Sequence, residues 1–102
     1  MVIYGDVREE IVDVIVTSGV IANQQITGTK RKMIYLRNTS TAVADIITIS
    51  FTGNAPAVSN KGIVLKQNDQ YIEVESEGFI PWQGQISAIC TTANGKLTIV
   101  ER

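Results

Sequence analysis

Glu73, Glu75 and Glu77 are the closest thing in this chain to a set of catalytic or metal-binding groups. Paired carboxylates can serve as general acid and base, or hold a hard cation through oxygen. At alternate positions of a strand, however, such side chains project in parallel, roughly 7 Å apart, from one face. That arrangement reads as the solvated outer face of a sheet. The sequence contains no His, so the commonest general base and the commonest transition-metal ligand are both missing. Cys90, among Ile86, Ala88 and Ile89, reads as a small buried hydrophobe without an activating neighbour. The glycines at 5, 19, 28, 53, 62, 78, 84 and 95 fall one per turn. None forms a Gly-rich loop ahead of a helix, the arrangement that cradles phosphate. The expectation is a protein that is not an enzyme and takes no cofactor and no metal.

Lys30-Arg31-Lys32 is the only basic run, with Arg37 and Tyr35 following it. A nucleic-acid site would track several phosphates and carry net positive charge, whereas nine basic against ten acidic residues leave −1 here. The run reads better as exposed charge that protects a sheet edge from pairing with another chain. Neither nucleic acid nor membrane is expected as a partner, and no apolar run approaches the ~18 residues of a membrane span. The first residues lack the basic region and long apolar core of a signal peptide. Asn38-Thr39-Ser40 matches the glycosylation acceptor pattern, a short pattern that arises by chance.

The stretch from Gly78 to Gly84 holds the only Trp, beside Phe79, Ile80 and Pro81. Two readings stand open for it. Trp82 and Phe79 could belong to the core, or the loop could present them to another molecule. Pro81 stiffens the segment, and a rigid aromatic loop loses little entropy on docking. With Val2, Ile3 and Tyr4 of the N-terminal stretch, Phe79, Ile80, Pro81 and Trp82 are the candidate interface residues.

The elements that must position this loop are strands. Apolar residues recur with a period of two almost throughout, and Thr, Ile and Val dominate. At 102 residues one domain is expected, since halves would be too small to bury a core. Residues 1–10 read as an N-terminal arm or edge strand, and 11–102 as a single β-sandwich domain. Val12, Val14 and Val16 share one face of the first strand, with a turn or bulge at Ser18-Gly19 and Val20 to Ala22 continuing beyond. Ile34 and Leu36 face inward in the next. Ile47, Ile49 and Phe51 share a face, as do Ile72 and Val74, then Ile86, Ala88 and Cys90, then Leu97 and Ile99. Ile63 to Leu65 is a brief strand, and Asn94-Gly95 is a strong hairpin signal. About eight short strands with turn chemistry between them predict an all-β fold: an antiparallel two-sheet sandwich, of jelly-roll or immunoglobulin-like strand order.

Several strings, among them Arg31-Lys-Met-Ile-Tyr-Leu-Arg-Asn-Thr-Ser40, Gly62-Ile-Val-Leu65, Ile80-Pro-Trp-Gln-Gly-Gln-Ile-Ser-Ala88 and Leu97-Thr-Ile-Val-Glu101, give the chain a family likeness. From about residue 14 to 102 it resembles the small β-sandwich structural proteins of tailed bacteriophages. That resemblance implies a virion component made in the host cytoplasm, of the capsid decoration or head-fibre type. Its partners would be the major capsid protein or other virion proteins. It further implies a homo-oligomer, with a trimer favoured because closed symmetry covers sheet edges. A carbohydrate- or receptor-binding module of a tail or baseplate is the alternative.

Overall fold

The computed structural model describes residues 8–23, 30–51, 57, 58 and 60–102. Eight strands run in chain order: β1 (Arg8–Val14), β2 (Gly19–Ala22), β3 (Met33–Asn38), β4 (Ile47–Ser50), β5 (Ile63–Leu65), β6 (Gln70–Val74), β7 (Ile86–Cys90) and β8 (Gly95–Glu101). They form two four-stranded sheets, with orders β1-β8-β3-β6 and β2-β7-β4-β5, every pair antiparallel.

The order has a simple origin. β1 pairs with β8, β2 with β7, β3 with β6 and β4 with β5, as in one long hairpin whose tip is the β4–β5 connection. Rolling that hairpin over on itself sends successive strands to alternate sheets, except at the tip where β4 and β5 pair, and brings β3 against β8 and β4 against β7. This is the jelly-roll order of a double-sheet sandwich. It settles the strand order left open by the residue pattern.

Between the sheets lies a core of aliphatic side chains. Ile34, Leu36, Ile47, Ile49, Ile86, Leu97 and Ile99 are fully buried, with Ala88 and Cys90 beside them. These are the inner faces expected of β3, β4, β7 and β8. The β-branched Ile suits a pleated surface whose side chains must interdigitate. Among the described residues, no aromatic ring lies in the fully buried set; Phe51 and Tyr71 pack against its margin. At the opposite end, the buried Asn38 amide donates to the carbonyls of Asp45 and Leu65 at 2.7 and 2.9 Å and accepts from Ser40 N–H. Because Asn38 is completely buried, the acceptor pattern there marks a structural polar plug.

Four expectations about the strands are corrected. Asn94-Gly95 does not close a hairpin: β7 and β8 lie in different sheets, and the turn carries the chain across. A Cβ at Gly95 would lie 2.5 Å from Val14 O and 2.7 Å from Cys90 Sγ, so Gly is needed for that close passage. Val20 to Ala22 does not continue β1 but forms an edge strand of the other sheet, with a register shift between Val20 and Ala22. Val16 lies beyond the end of β1 and is exposed.

The fourth correction is the orientation of β6. Ile72 and Val74 point outward, 51% and 50% exposed. Tyr71 and Glu73 are the half-buried side, so Glu73 does not sit on a solvated outer face, whereas Glu75 and Glu77 beyond the strand are exposed. Alternation fixes which residues share a face; which of the two is inner depends on what the ends of the strand must contact.

Candidate interaction site at the aromatic loop

β6 leads into the loop through a two-residue turn. Ser76 N–H donates to Phe79 O at 3.2 Å, and Phe79 N–H to Ser76 O at 3.0 Å. Gly78 within it has φ +80°, a conformation that side chains with a Cβ rarely adopt. This short bridge projects Phe79 and Ile80, which are 43% and 61% exposed. Pro81 is fully buried; among the candidate interface residues it therefore fixes the loop instead of touching a partner. Trp82 lies between the two, 36% exposed. Val2, Ile3 and Tyr4 lie outside the described residues. Residues 8–10, expected in an arm or edge strand, belong to edge strand β1.

What holds the loop is Arg31. Its side chain is 2% exposed, which corrects the reading of Lys30-Arg31-Lys32 as exposed edge protection. The guanidinium donates from Nε to Glu101 Oε2 at 2.9 Å, from Nη1 to Trp82 O at 2.5 Å and from Nη2 to Asn23 O at 3.0 Å. Gln83 adds a reciprocal pair: its Nε2 donates to Arg31 O and its Oε1 accepts from Arg31 N–H, both at 2.7 Å. Such charge-assisted, multiply shared contacts are the strong ones. Of the other basic residues in the run, Lys30 pairs with Glu75 at 3.0 Å, and Lys32 alone remains as exposed charge without an ion pair. No basic patch results.

Glu101 is shared. Its Oε1 accepts from Arg8 Nη1 at 2.7 Å, and Arg8 reaches on to Ile21 O at 2.8 Å. Burial pulls the Arg8 guanidinium down, but hydrogen bonds and attraction from Glu101 and Glu10 outweigh it and hold Arg8 above its ordinary value. One carboxylate therefore links β1, β8 and the lead into β3, with the loop carbonyls clamped at the far side.

Glu73 fixes the loop from β6. Its Oε1 accepts from Trp82 N–H at 2.9 Å and its Oε2 from Tyr71 Oη at 2.5 Å. Tyr71 is pushed up to about 12, first by burial, then by the hydrogen bond and charge of Glu73. The three carboxylates do not converge, because Glu73 faces the loop, Glu75 pairs with Lys30 and Glu77 sits in the turn. Phe51 lies 5.6 Å from the Tyr71 ring and 6.5 Å from the Trp82 ring, both tilted, a favoured aromatic geometry. Trp82 Nε1 donates to Gln85 O at 3.1 Å, and the indole lies directly on Gly84. Trp82 is thus a partly covered lid over the core margin, and neither of the two open readings describes it fully.

Arg31, Glu73 and Gln83 carry this arrangement, and residue spacing pointed to none of them as supports. Arg31 shares the parity of the outward-facing Met33 and Tyr35, and its flanking lysines give it the look of a solvated run. Among the described residues, no three His, Cys, Asp or Glu side chains gather as a metal set. No protein-family model matches the chain, and neither a curated protein nor a solved structure matches it significantly.

Proposed function

We propose that this chain is a non-enzymatic binding module of a bacteriophage particle, a capsid decoration or head accessory protein. It docks through the Phe79–Ile80 tip of the aromatic loop. The observation that carries this reading is two large apolar side chains held exposed on a backbone that Arg31, Gln83 and Glu73 immobilise. Ordering has been done before the partner arrives, so docking loses little further entropy. Repetition of a modest contact over a symmetric shell then raises the overall strength. The likeness to small phage β-sandwich proteins supports the same reading, and the jelly-roll order is one that capsid domains use, an analogy of fold only.

The test is co-sedimentation of the purified chain with heads and tails prepared separately from the phage that produces it. Saturable binding to heads is expected, and binding to tails alone would favour the baseplate module. A version lacking residues 1–7, which leaves β1 intact, separates the arm from the loop: undiminished binding is expected.

A further inference from the structure

The two outer faces of the sandwich are treated differently. On the β2-β7-β4-β5 sheet, Thr48 and Ser50 are buried although they face away from the core, and Asn60 N–H from the β4–β5 connection donates to Thr48 Oγ1 at 3.1 Å. The chain covers the middle of that face itself, while Val20 and Val64 stay exposed toward its edges. Among the described residues, none packs over the outer face of the β1-β8-β3-β6 sheet. Register places Glu9, Val100, Tyr35 and Ile72 in one row across its four strands. Met33 and Val74 form the next row on one side, and Ile11, Thr98, Arg37 and Gln70 the next on the other. Ile11, Ile72 and Val74 are at least half exposed, and Val100, Tyr35 and Met33 continue the apolar surface between them.

Arg102, which exchanges backbone hydrogen bonds with Met33, adds an exposed cation to the row of Met33 and Val74, and two further charges lie on the face. Glu9 ends the central row at β1, and Arg37 lies two strands away and one same-face row along, a separation of roughly 12 Å. Both are exposed, and neither forms an ion pair. Asp13 and Lys96, on the same face, are already paired with each other. One sheet face thus carries the anion Glu9 on its edge strand and the cation Arg37 two strands in, with Val100 and Thr98 on the strand between them and Arg102 in the neighbouring row. A threefold ring would join two different surfaces, whereas a two-fold contact joins a patch to itself.

We propose that this outer sheet face is where a second copy of this chain docks, about a two-fold axis lying between the sheets. Glu9 of each copy meets Arg37 of the other, with Val100, Thr98 and Tyr35 at the centre and Ile72 toward the rim. The proposal stands apart from the identity of whatever the loop meets, which lies on other residues. A four-stranded face of roughly 19 × 24 Å is small for an interface, so association in the micromolar range is expected.

Sedimentation equilibrium of the full chain over a concentration series tests this. The expected result is twice the chain mass, falling toward the monomer on dilution. Glu9→Arg or Arg37→Glu alone should weaken association by about tenfold or more, since each places like charges opposite one another. The double exchange Glu9→Arg with Arg37→Glu should restore it to within about threefold. Ile72→Lys, at a half-exposed position, should leave a folded monomer by circular dichroism. A monomer at every concentration up to about 1 mM, a threefold mass, or a double exchange no better than either single change would each overturn the proposal.

Discussion

Arg31 Nε donates to Glu101 Oε2 at 2.9 Å with the arginine side chain almost wholly out of water. The pair joins the lead into β3 to the end of β8, and the same guanidinium holds Trp82 O. Removing the cation leaves Glu101 with only Arg8 and frees two loop carbonyls. Breaking a buried pair from one side typically costs about 3–5 kcal/mol, so Arg31→Met should lower stability by about 3 kcal/mol in urea unfolding. Arg31→Lys should recover little of that, because an ammonium cannot reach three acceptors in a planar fork.

Gly84 is the floor of the indole. A Cβ there would lie 2.3 Å from the nearest Trp82 ring carbon, far inside contact distance. Gly84→Ala should lift the ring off the loop, red-shift its emission and raise its quenching by acrylamide. Overpacking of this kind typically costs about 1–3 kcal/mol. Because Trp82 is the only Trp, the fluorescence reports on that ring alone.

Tyr71 holds its proton up to about pH 12, against an ordinary value of 10.0. Burial and Glu73 disfavour the phenolate, so the folded chain binds this proton more tightly than the unfolded chain does. The corresponding stabilisation is complete below pH 10.0 and is lost as pH rises from there to about 12. Urea midpoints of the wild type should therefore fall more steeply across that window than those of Tyr71→Phe. The phenolate absorbance of Tyr71, taken as the difference between the two proteins, should appear late in an alkaline titration.

Asn38 serves two buried carbonyls and one N–H. Each group left unsatisfied costs about 1–3 kcal/mol, so Asn38→Ala should destabilise by about 3 kcal/mol. Its burial also means that the folded chain, offered to an oligosaccharide-transferring enzyme, should remain unmodified at this position by mass.

The inner faces of β3, β4, β7 and β8 were legible because each sets aliphatic residues two apart against polar ones, and only one face of such a strand can enter a core. β6 was misread because both its faces carry chemistry that fits the interior partway: Ile72 and Val74 by hydropathy, Tyr71 and Glu73 through the loop they hold. The Asn94-Gly95 turn shows the limit of local signals. Its turn residues are right for a reversal, but the rolled long hairpin sends the next strand to the other sheet, and no nearby residue encodes that. Arg31 was hidden for a similar reason, since its acceptors come from residues 23, 82, 84 and 101. A charge run says nothing about partners so distant in sequence. The segment, by contrast, stood out from Phe, Ile, Pro and Trp crowded between two glycines, but which of them would be exposed did not.

The central claim is that a rigid loop presents Phe79 and Ile80 for docking, and the affinity of Ile80→Asp for purified phage heads tests it most directly. Ile80 is the more exposed of the pair, so the substitution should change unfolding stability by no more than about 0.5 kcal/mol. Head binding should weaken by about tenfold or more, as for an anchor lost from an interface centre. Unchanged binding by a variant of unchanged stability would contradict the account.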